Sequence, residues 1–564
     1  MPMTTITADD LPLQRIYRWE RERASQPWFT QPVGTDGVRE FTWAQAMDET
    51  RRMAAWLQAQ GFEPGSRIAL MSKNTAWWIM ADVAIWMAGH VSVPIYPNLT
   101  ADSVRAILEH SESRLIFVGK LDDWRPMVGG IPAGVVTVGT PLNEAPVQHQ
   151  WDDIVARTAP MTDSPTFAAD AMATIIYTSG TTGMPKGAVH PFASFAHTAK
   201  ALVQVLGSTA NERALSYLPL AHVAERCLIE GQSFYAGFRL YFARSLDTFI
   251  DDLKRAQPTF FFSVPRLWVK FQQGVLAKVP PHKLNRLISI PLLGSIVKKK
   301  VLTQLGLGQA RFAGTGAAPL PPEVMAWYRK LGLELLEGYG MTEQFAFATT
   351  NMPGRSRVGY VGEPTPCCEV KLSDEGEILT RGPAHMQGYY KEPAKTAETM
   401  TADGWLKTGD LGAFDEAGRL KIVGRAKEQF KTSKGKYVSP APIEGKLAAF
   451  TRIEAVMVSG GSGGVFAQPF ALAMLPLGAW ESLRAGPARQ AFSDELLAHL
   501  NKVNTELDPH ERLDFIAVVP EQWTVEAGFV TPTLKLKRNI IEQHYGPHFE
   551  AWAAARKPVV WHEG

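Results

Sequence analysis

The most chemically loaded stretch of the chain is the run YTSGTTGMPKG at positions 177–187. Its glycines, Gly180, Gly183 and Gly187, let a backbone approach a bound group closely and turn N–H groups inward. Thr178, Ser179, Thr181 and Thr182 add hydroxyl donors. Lys186 adds a compact positive charge suited to phosphate. An apolar strand over 173–177 is expected before the loop, and a helix from about Ala193 after it. The composition is that of a polyphosphate cradle. It is not a Walker A loop, which needs GxxxxGK[ST]; here the lysine precedes the last glycine. A second glycine run at 460–464 reads as a hairpin or surface turn.

Such a loop needs a scaffold, and the flanking sequence supplies one. Thr42 with Gln45 forms a capping box, Trp43, Ala46, Met47, Ala54 and Leu57 share one helical face, and Gly61 stops the helix. Strands are expected at Arg67–Met71, Val91–Ile95 and Leu115–Val118, with helices at 75–88 and 101–110 between them. Alternating strands and helices imply a parallel, layered α/β sheet. The pattern recurs at 172–206 and 311–350. The stretch 120–170 is rich in Pro and Gly and carries no clear period. Residues 355–424 turn β-rich, with short strands at 370–372, 377–380 and 420–423.

The chain has 564 residues, more than one compact core accommodates. Its 58 basic and 56 acidic residues leave no excess of the kind that coats nucleic acid. Cys227, Cys367 and Cys368 cannot build a disulfide framework, so a reducing, cytoplasmic setting is expected. Positions 1–12 carry Asp9 and Asp10 without an apolar core, and no signal peptide or anchor is expected there. No apolar run reaches the length of a membrane span. Residues 283–300 mix Leu284, Leu287, Ile288, Ile290, Leu292, Leu293, Ile296 and Val297 with Lys283, Arg286, Lys298, Lys299 and Lys300. That pattern suits an anionic membrane surface at the inner face of a membrane, or a packed helix with a solvated basic end.

The glycine loop resembles the signature of the acyl-adenylate-forming superfamily, which includes acyl-CoA synthetases, luciferases and peptide-synthetase adenylation domains. Further matches follow in that family's order: YLPLAHVAER at 217–226, GTGAAPL at 314–320, GYGMTE at 338–343, WLKTGDL at 405–411, GRAKE at 424–428 and TPTLKLKR at 531–538. The wording of YLPLAHVAER and TPTLKLKR is most similar to long-chain fatty acyl-CoA synthetases. The resemblance implies an α/β fold. Residues 1–424 would form a large domain of layered α/β subdomains plus a β-rich subdomain. Residues 425–564 would form a small mobile α+β lid, hinged near Lys427.

The implied reaction has two halves. A fatty acid carboxylate attacks the α-phosphate of ATP, giving acyl-AMP and pyrophosphate, and the thiol of coenzyme A then displaces AMP. By resemblance, Thr181 and Glu343 hold Mg²⁺, whose preference is for hard oxygens, and Thr342 bonds the α-phosphate. Tyr339 stacks on adenine beside a slot made by Gly316, Ala317 and Gly338. Asp410 accepts from the ribose hydroxyls, with Arg425 on ribose or phosphate. Lys535 is the C-terminal catalytic lysine, Lys537 being the alternative in a register blurred by the Lys/Arg run. Thr533-Leu534 replaces the commoner Ser-Gly pair, as in long-chain members. Gly435, in the TSKGKY loop at 432–437, passes the pantetheine arm, and His222 lies near the acyl carboxylate. Arg226 stands where some relatives carry an aromatic gate. Two other readings share these residues: transfer to a carrier-protein thiol, and a nucleotide-binding relative without catalysis.

Overall fold

The computed structural model describes residues 3–178, 185–318, 320–461, 466, 468–531 and 535–563. Within them the largest sheet has eight strands. From Met172–Thr178 the strands run parallel through Val91–Ile95, Arg67–Met71, Leu115–Val118 and Val136–Gly139 to His149–Gln150. The two outermost strands come from the segment whose period could not be read. Their sequences are short and turn-rich, and pairing on the neighbouring strand makes them β.

The local signals upstream hold. Thr42 and Gln45 exchange both capping-box hydrogen bonds, at 3.2 and 3.0 Å. The helix Trp43–Ala59 buries the expected face, and Gly61 adopts the left-handed conformation that ends it. Helix Ala76–Met87 is capped by Thr75 and is buried on every side, as expected of a helix apolar all round. Its one charged residue is Asp82.

The region after the glycine loop differs from expectation. Strand Lys186–Pro191 precedes helix Phe192–Leu206 and pairs antiparallel with Met172–Thr178. The loop therefore joins two strands of a hairpin, with Thr178 opposite Lys186, instead of leading from a strand into a helix. The short strand Gly388–Tyr389 adds to the outer edge.

A second sheet holds Phe260–Ser263, Phe312–Thr315 and Leu335–Tyr339 in parallel, then Thr349–Thr350 and Glu363–Pro364 antiparallel. A third, wholly antiparallel, contains Glu369–Leu372, Glu377–Arg381, Leu406–Phe414 and Leu420–Arg425. Strand Leu406–Phe414 escapes sequence reading because LKTGDLGAF carries two glycines and an aspartate. Neighbours on both sides impose the extended form.

Near the C-terminus, Ala455–Ser459, Phe470–Met474, Ile516–Val519 and Val559–Trp561 form a separate sheet, covered by helix Gly486–Thr505. The glycine run at 460–464 connects the antiparallel strands Ala455–Ser459 and Phe470–Met474, in keeping with a hairpin; positions 462–464 lie outside the described residues. All three cysteines are free and buried. Among the described residues no helix is long and apolar enough to cross a membrane.

Candidate functional site

The polar groups of interest gather beyond the carboxyl ends of the parallel strands Phe312–Thr315 and Leu335–Tyr339, where open α/β sheets place ligands. Tyr339 ends its strand, and its hydroxyl donates to Asp410 Oδ2 at 2.6 Å. Arg425 Nε donates to Oδ1 of the same carboxylate at 2.8 Å. Asp410 and Arg425 face each other in register on adjacent antiparallel strands, which fixes their spacing. The buried Asp410 is thus an acceptor pair with both oxygens aimed.

Beside Tyr339 the backbone runs bare. A Cβ on Gly316 would lie 3.1 Å from the carbonyl oxygen of Gly338. Ala317 takes φ +68°, a left-handed value uncommon for a residue with a Cβ. Further strain follows Thr342–Gln344, where Phe345 and Ala346 are both left-handed. Each such residue costs on the order of 1–3 kcal/mol, and such strain clusters at functional sites.

Glu343 sits in that strained turn and is buried. Its Oε1 accepts from the Tyr389 hydroxyl at 2.6 Å, and its carbonyl accepts from the Met386 N–H at 2.8 Å. Tyr389 reaches it because strand Gly388–Tyr389 pairs with Lys186–Pro191. The Lys186 ammonium stands 5.2 Å from the centre of the Tyr389 ring. One tyrosine therefore ties the second strand of the glycine hairpin to Glu343. Nothing local in its sequence signals this, since the link crosses 46 residues. The Thr178 hydroxyl donates to the Lys186 carbonyl at 3.5 Å and helps close the hairpin. Ser179, Gly180, Thr181, Thr182 and Gly183 lie outside the described residues.

Lys535 joins this group from the far end of the chain. The Thr531 hydroxyl accepts from the Lys535 N–H at 3.1 Å, and the Thr531 N–H donates to the Lys535 carbonyl at 2.8 Å. These two bonds close the turn that presents the ammonium. The residue is exposed along much of its length, while protein around its ammonium lowers its pKa and the charge of Arg425 lowers it further, against the pull of Asp410, Glu343 and Glu428. The same ammonium is felt at His222. Desolvation first, and Lys535 second, hold that imidazole down at about 4, so it is neutral near pH 7. Its Nδ1 accepts from the Ala224 N–H at 3.1 Å, which leaves the ring proton on Nε2.

Lys427 lies in the exposed turn after strand Leu420–Arg425. Gly435 lies at the tip of the hairpin formed by Phe430–Lys431 and Tyr437–Val438, with φ +77°. Among the described residues, neither has a hydrogen bond to the group around Asp410.

Two buried ionisable features follow His222 in the chain. The Glu225 carboxyl accepts from the Ser216 hydroxyl at 2.7 Å and from the Tyr217 N–H at 3.1 Å. Burial nevertheless pushes its pKa up to about 8. Between its ordinary value of 4.5 and about 8, the native protein keeps a proton that the unfolded chain has lost. Stability should therefore fall as pH rises through this window. Glu225→Gln is expected to flatten the decline in thermal midpoint between pH 5 and 8; an equal slope in both proteins would count against a protonated Glu225.

The second feature centres on Arg226. It is wholly buried on the π-helical stretch Arg226–Gly231, and π-turns are frequent at functional sites. Its Nη2 donates to Asp82 Oδ2 at 2.7 Å, and its Nε lies 3.5 Å from Glu230 Oε2. The rings of Trp78, Trp86 and Phe195 surround the guanidinium at 5.2, 5.8 and 5.1 Å. Burial drives the Glu230 carboxyl well above its ordinary range, against the pull of the Arg226 charge. The sequence offered one sign of this cluster, the lone aspartate in an otherwise apolar helix.

The profile of the family described as AMP-binding enzyme matches residues 18–390. Long-chain-fatty-acid–CoA ligase FadD15 of Mycobacterium bovis is 29% identical, covering 94% of this chain and 96% of its own length. Long chain acyl-CoA synthetase 7, peroxisomal, of Arabidopsis thaliana is 31% identical over 90% of this chain and 81% of its own. The crystal structure of the adenylation domain of a carboxylate reductase from Mycobacterium chelonae superposes with a TM-score of 0.82 at 23% identity. It covers 96% of this chain and 91% of that one, a likeness of fold. With the profile spanning more than half of the chain, and the sequence motifs distributed over the same fold, the protein belongs to the AMP-binding enzyme family of acyl-adenylate-forming ligases.

Proposed function

We propose that this protein activates a long-chain fatty acid to its CoA thioester through an acyl-adenylate. The observation that carries the reading is the meeting of Lys535, Asp410, Arg425, Tyr339 and Glu343 at one place, with His222 within reach of the Lys535 charge. The names of the relatives at about 30% identity favour a fatty acid as substrate.

In the first half-reaction a carboxylate oxygen of the acid bonds to the α-phosphorus of ATP, and the bond to the pyrophosphate oxygen breaks. Asp410, held by Tyr339 and Arg425, offers acceptors to a ribose diol. Gly316, Ala317 and Gly338 leave room for a flat base against the Tyr339 ring. Lys186 and Lys535 set positive charge where negative charge accumulates, where preorganised groups act without reorganising. His222, neutral, offers its Nε2 proton to a carboxylate oxygen. In the second half the CoA sulfur bonds to the acyl carbon, AMP leaves, and the thiol proton is lost.

Glu343 suits Mg²⁺ on the chemistry of its donor: a buried carboxylate with one oxygen already oriented by Tyr389. Glu343, with Thr181, would hold the ion, which when bound neutralises phosphate charge. Tyr389→Phe removes a hydrogen bond to a carboxylate, an interaction worth about 1.5–3 kcal/mol. The half-saturating Mg²⁺ concentration is expected to rise about tenfold; an unchanged value would remove Tyr389 as a positioning residue. In this reading residues 425–564 act as a lid turning near Lys427, and Gly435 approaches the pantetheine arm in the second half-reaction.

The test is AMP release from ATP, Mg²⁺ and a palmitate-length acid, with and without CoA. Release that depends on CoA supports the proposal. Acyl-AMP that accumulates and ignores CoA points to a carrier-protein thiol as acceptor. No adenylate with any acid in a broad panel would overturn it.

A further inference from the structure

We propose that the helical hairpin formed by Pro281–Ile288 and Leu293–Gln304 docks the protein on an anionic lipid surface. Between residues 253 and 322 the sequence has eleven Lys and Arg and not one Asp or Glu. The whole chain has an excess of only two positive charges, so the remainder is net negative. Such a one-signed segment carries a local field attracting an anionic surface over about a Debye length.

The hairpin also presents apolar side chains to water. Leu292 is 85% exposed and Ile296 63%, with Ile290 and Leu293 each at 40%. Leu292 takes φ +62°, so the backbone itself turns the tip. The hairpin is anchored behind this tip. Leu284 is buried, and a Cβ on Gly294 would lie 2.3 Å from the Ile288 carbonyl oxygen, so the two helices meet without space between them. Val301 and Leu302, about two turns further, pack on the core beneath.

An aliphatic tip backed by Lys283, Arg286, Lys299 and Lys300 matches the depth profile of a bilayer, with hydrocarbon below and anionic headgroups beside it. The tip has no aromatic residue, the type that anchors protein–protein interfaces. A bilayer is therefore the occupant this chemistry fits. The inference stands apart from the proposed reaction, because vesicle binding is read without turnover.

The experiment is co-sedimentation of the full chain with vesicles of phosphatidylcholine alone and with about 30 mol % phosphatidylglycerol. Binding is expected only to the anionic vesicles, and it should fall steeply as salt is raised. Leu292→Glu with Ile296→Glu, and separately Lys299→Glu with Lys300→Glu, should each weaken partitioning about tenfold or more. Circular dichroism should report an unchanged fold in both. Failure of the wild type to bind anionic vesicles would overturn the proposal, as would full binding by either variant. Concentration-dependent self-association lost in Leu292→Glu with Ile296→Glu, without vesicle binding, would also overturn it by assigning the tip to a second copy.

Discussion

Lys535→Ala is expected to lower acid-dependent ATP–pyrophosphate exchange by about 10²–10³-fold, the usual cost of removing one preorganised electrostatic group from a reacting centre. ATP affinity should change far less, because Lys186, Asp410 and Arg425 remain. The turn closed by Thr531 places the ammonium where Arg425 repels it and where Asp410 and Glu343 attract it. That balance of charges holds a cation poised for added negative charge without a carboxylate neutralising it first. Lys537→Ala serves as the comparison. A lysine without such a role costs little, and exchange should stay within about twofold of wild type. Reversal of the two outcomes would move the catalytic role to Lys537. Near-normal exchange in both variants would remove it from this turn. Thioester formation from supplied acyl-AMP should survive in Lys535→Ala if the residue serves only the adenylation step.

The second large effect concerns stability. Arg226→Leu leaves Asp82 without its partner in a site from which water is excluded. Breaking a buried pair on one side costs about 3–5 kcal/mol. The apparent midpoint of denaturant unfolding should fall accordingly. Asp82→Leu should do the same by stranding the guanidinium among Trp78, Trp86 and Phe195. The double variant removes both partners of the pair and is expected to recover most of the loss, since apolar replacement of a buried pair is often neutral or favourable. A double variant as unstable as the sum of the singles would show that packing, and not charge, controls the site. Arg226 lies one turn along the helix from His222, whose carbonyl accepts from the Arg226 N–H at 3.3 Å.

The two experiments address different layers of what the chain encodes. Motifs confined to a few residues were legible in the sequence: the capping box at Thr42, the buried helix after Thr75, the glycine run before Lys186, and the GYGMTE and WLKTGDL segments. Their physics is local. A turn glycine, a cap or a run of apolar residues acts within one turn or one strand, whatever the rest of the chain does. Strand Leu406–Phe414 was not legible, because pairing with its neighbours overrides its weak intrinsic preference.

The site divides along the same line. Its residue types, and the family to which they point, came from the sequence alone. Which atoms meet was decided by the tertiary structure: Tyr339 with Asp410 across 71 positions, Tyr389 with Glu343 across 46, and Arg226 with Asp82 across 144. So was the fact that the glycine loop closes a hairpin rather than opening a helix. Contacts of such separation leave no periodic trace in the sequence. They exist only because sheet pairing and close packing bring distant segments together, and there the cost of burying a hydroxyl or a charge selects its partner.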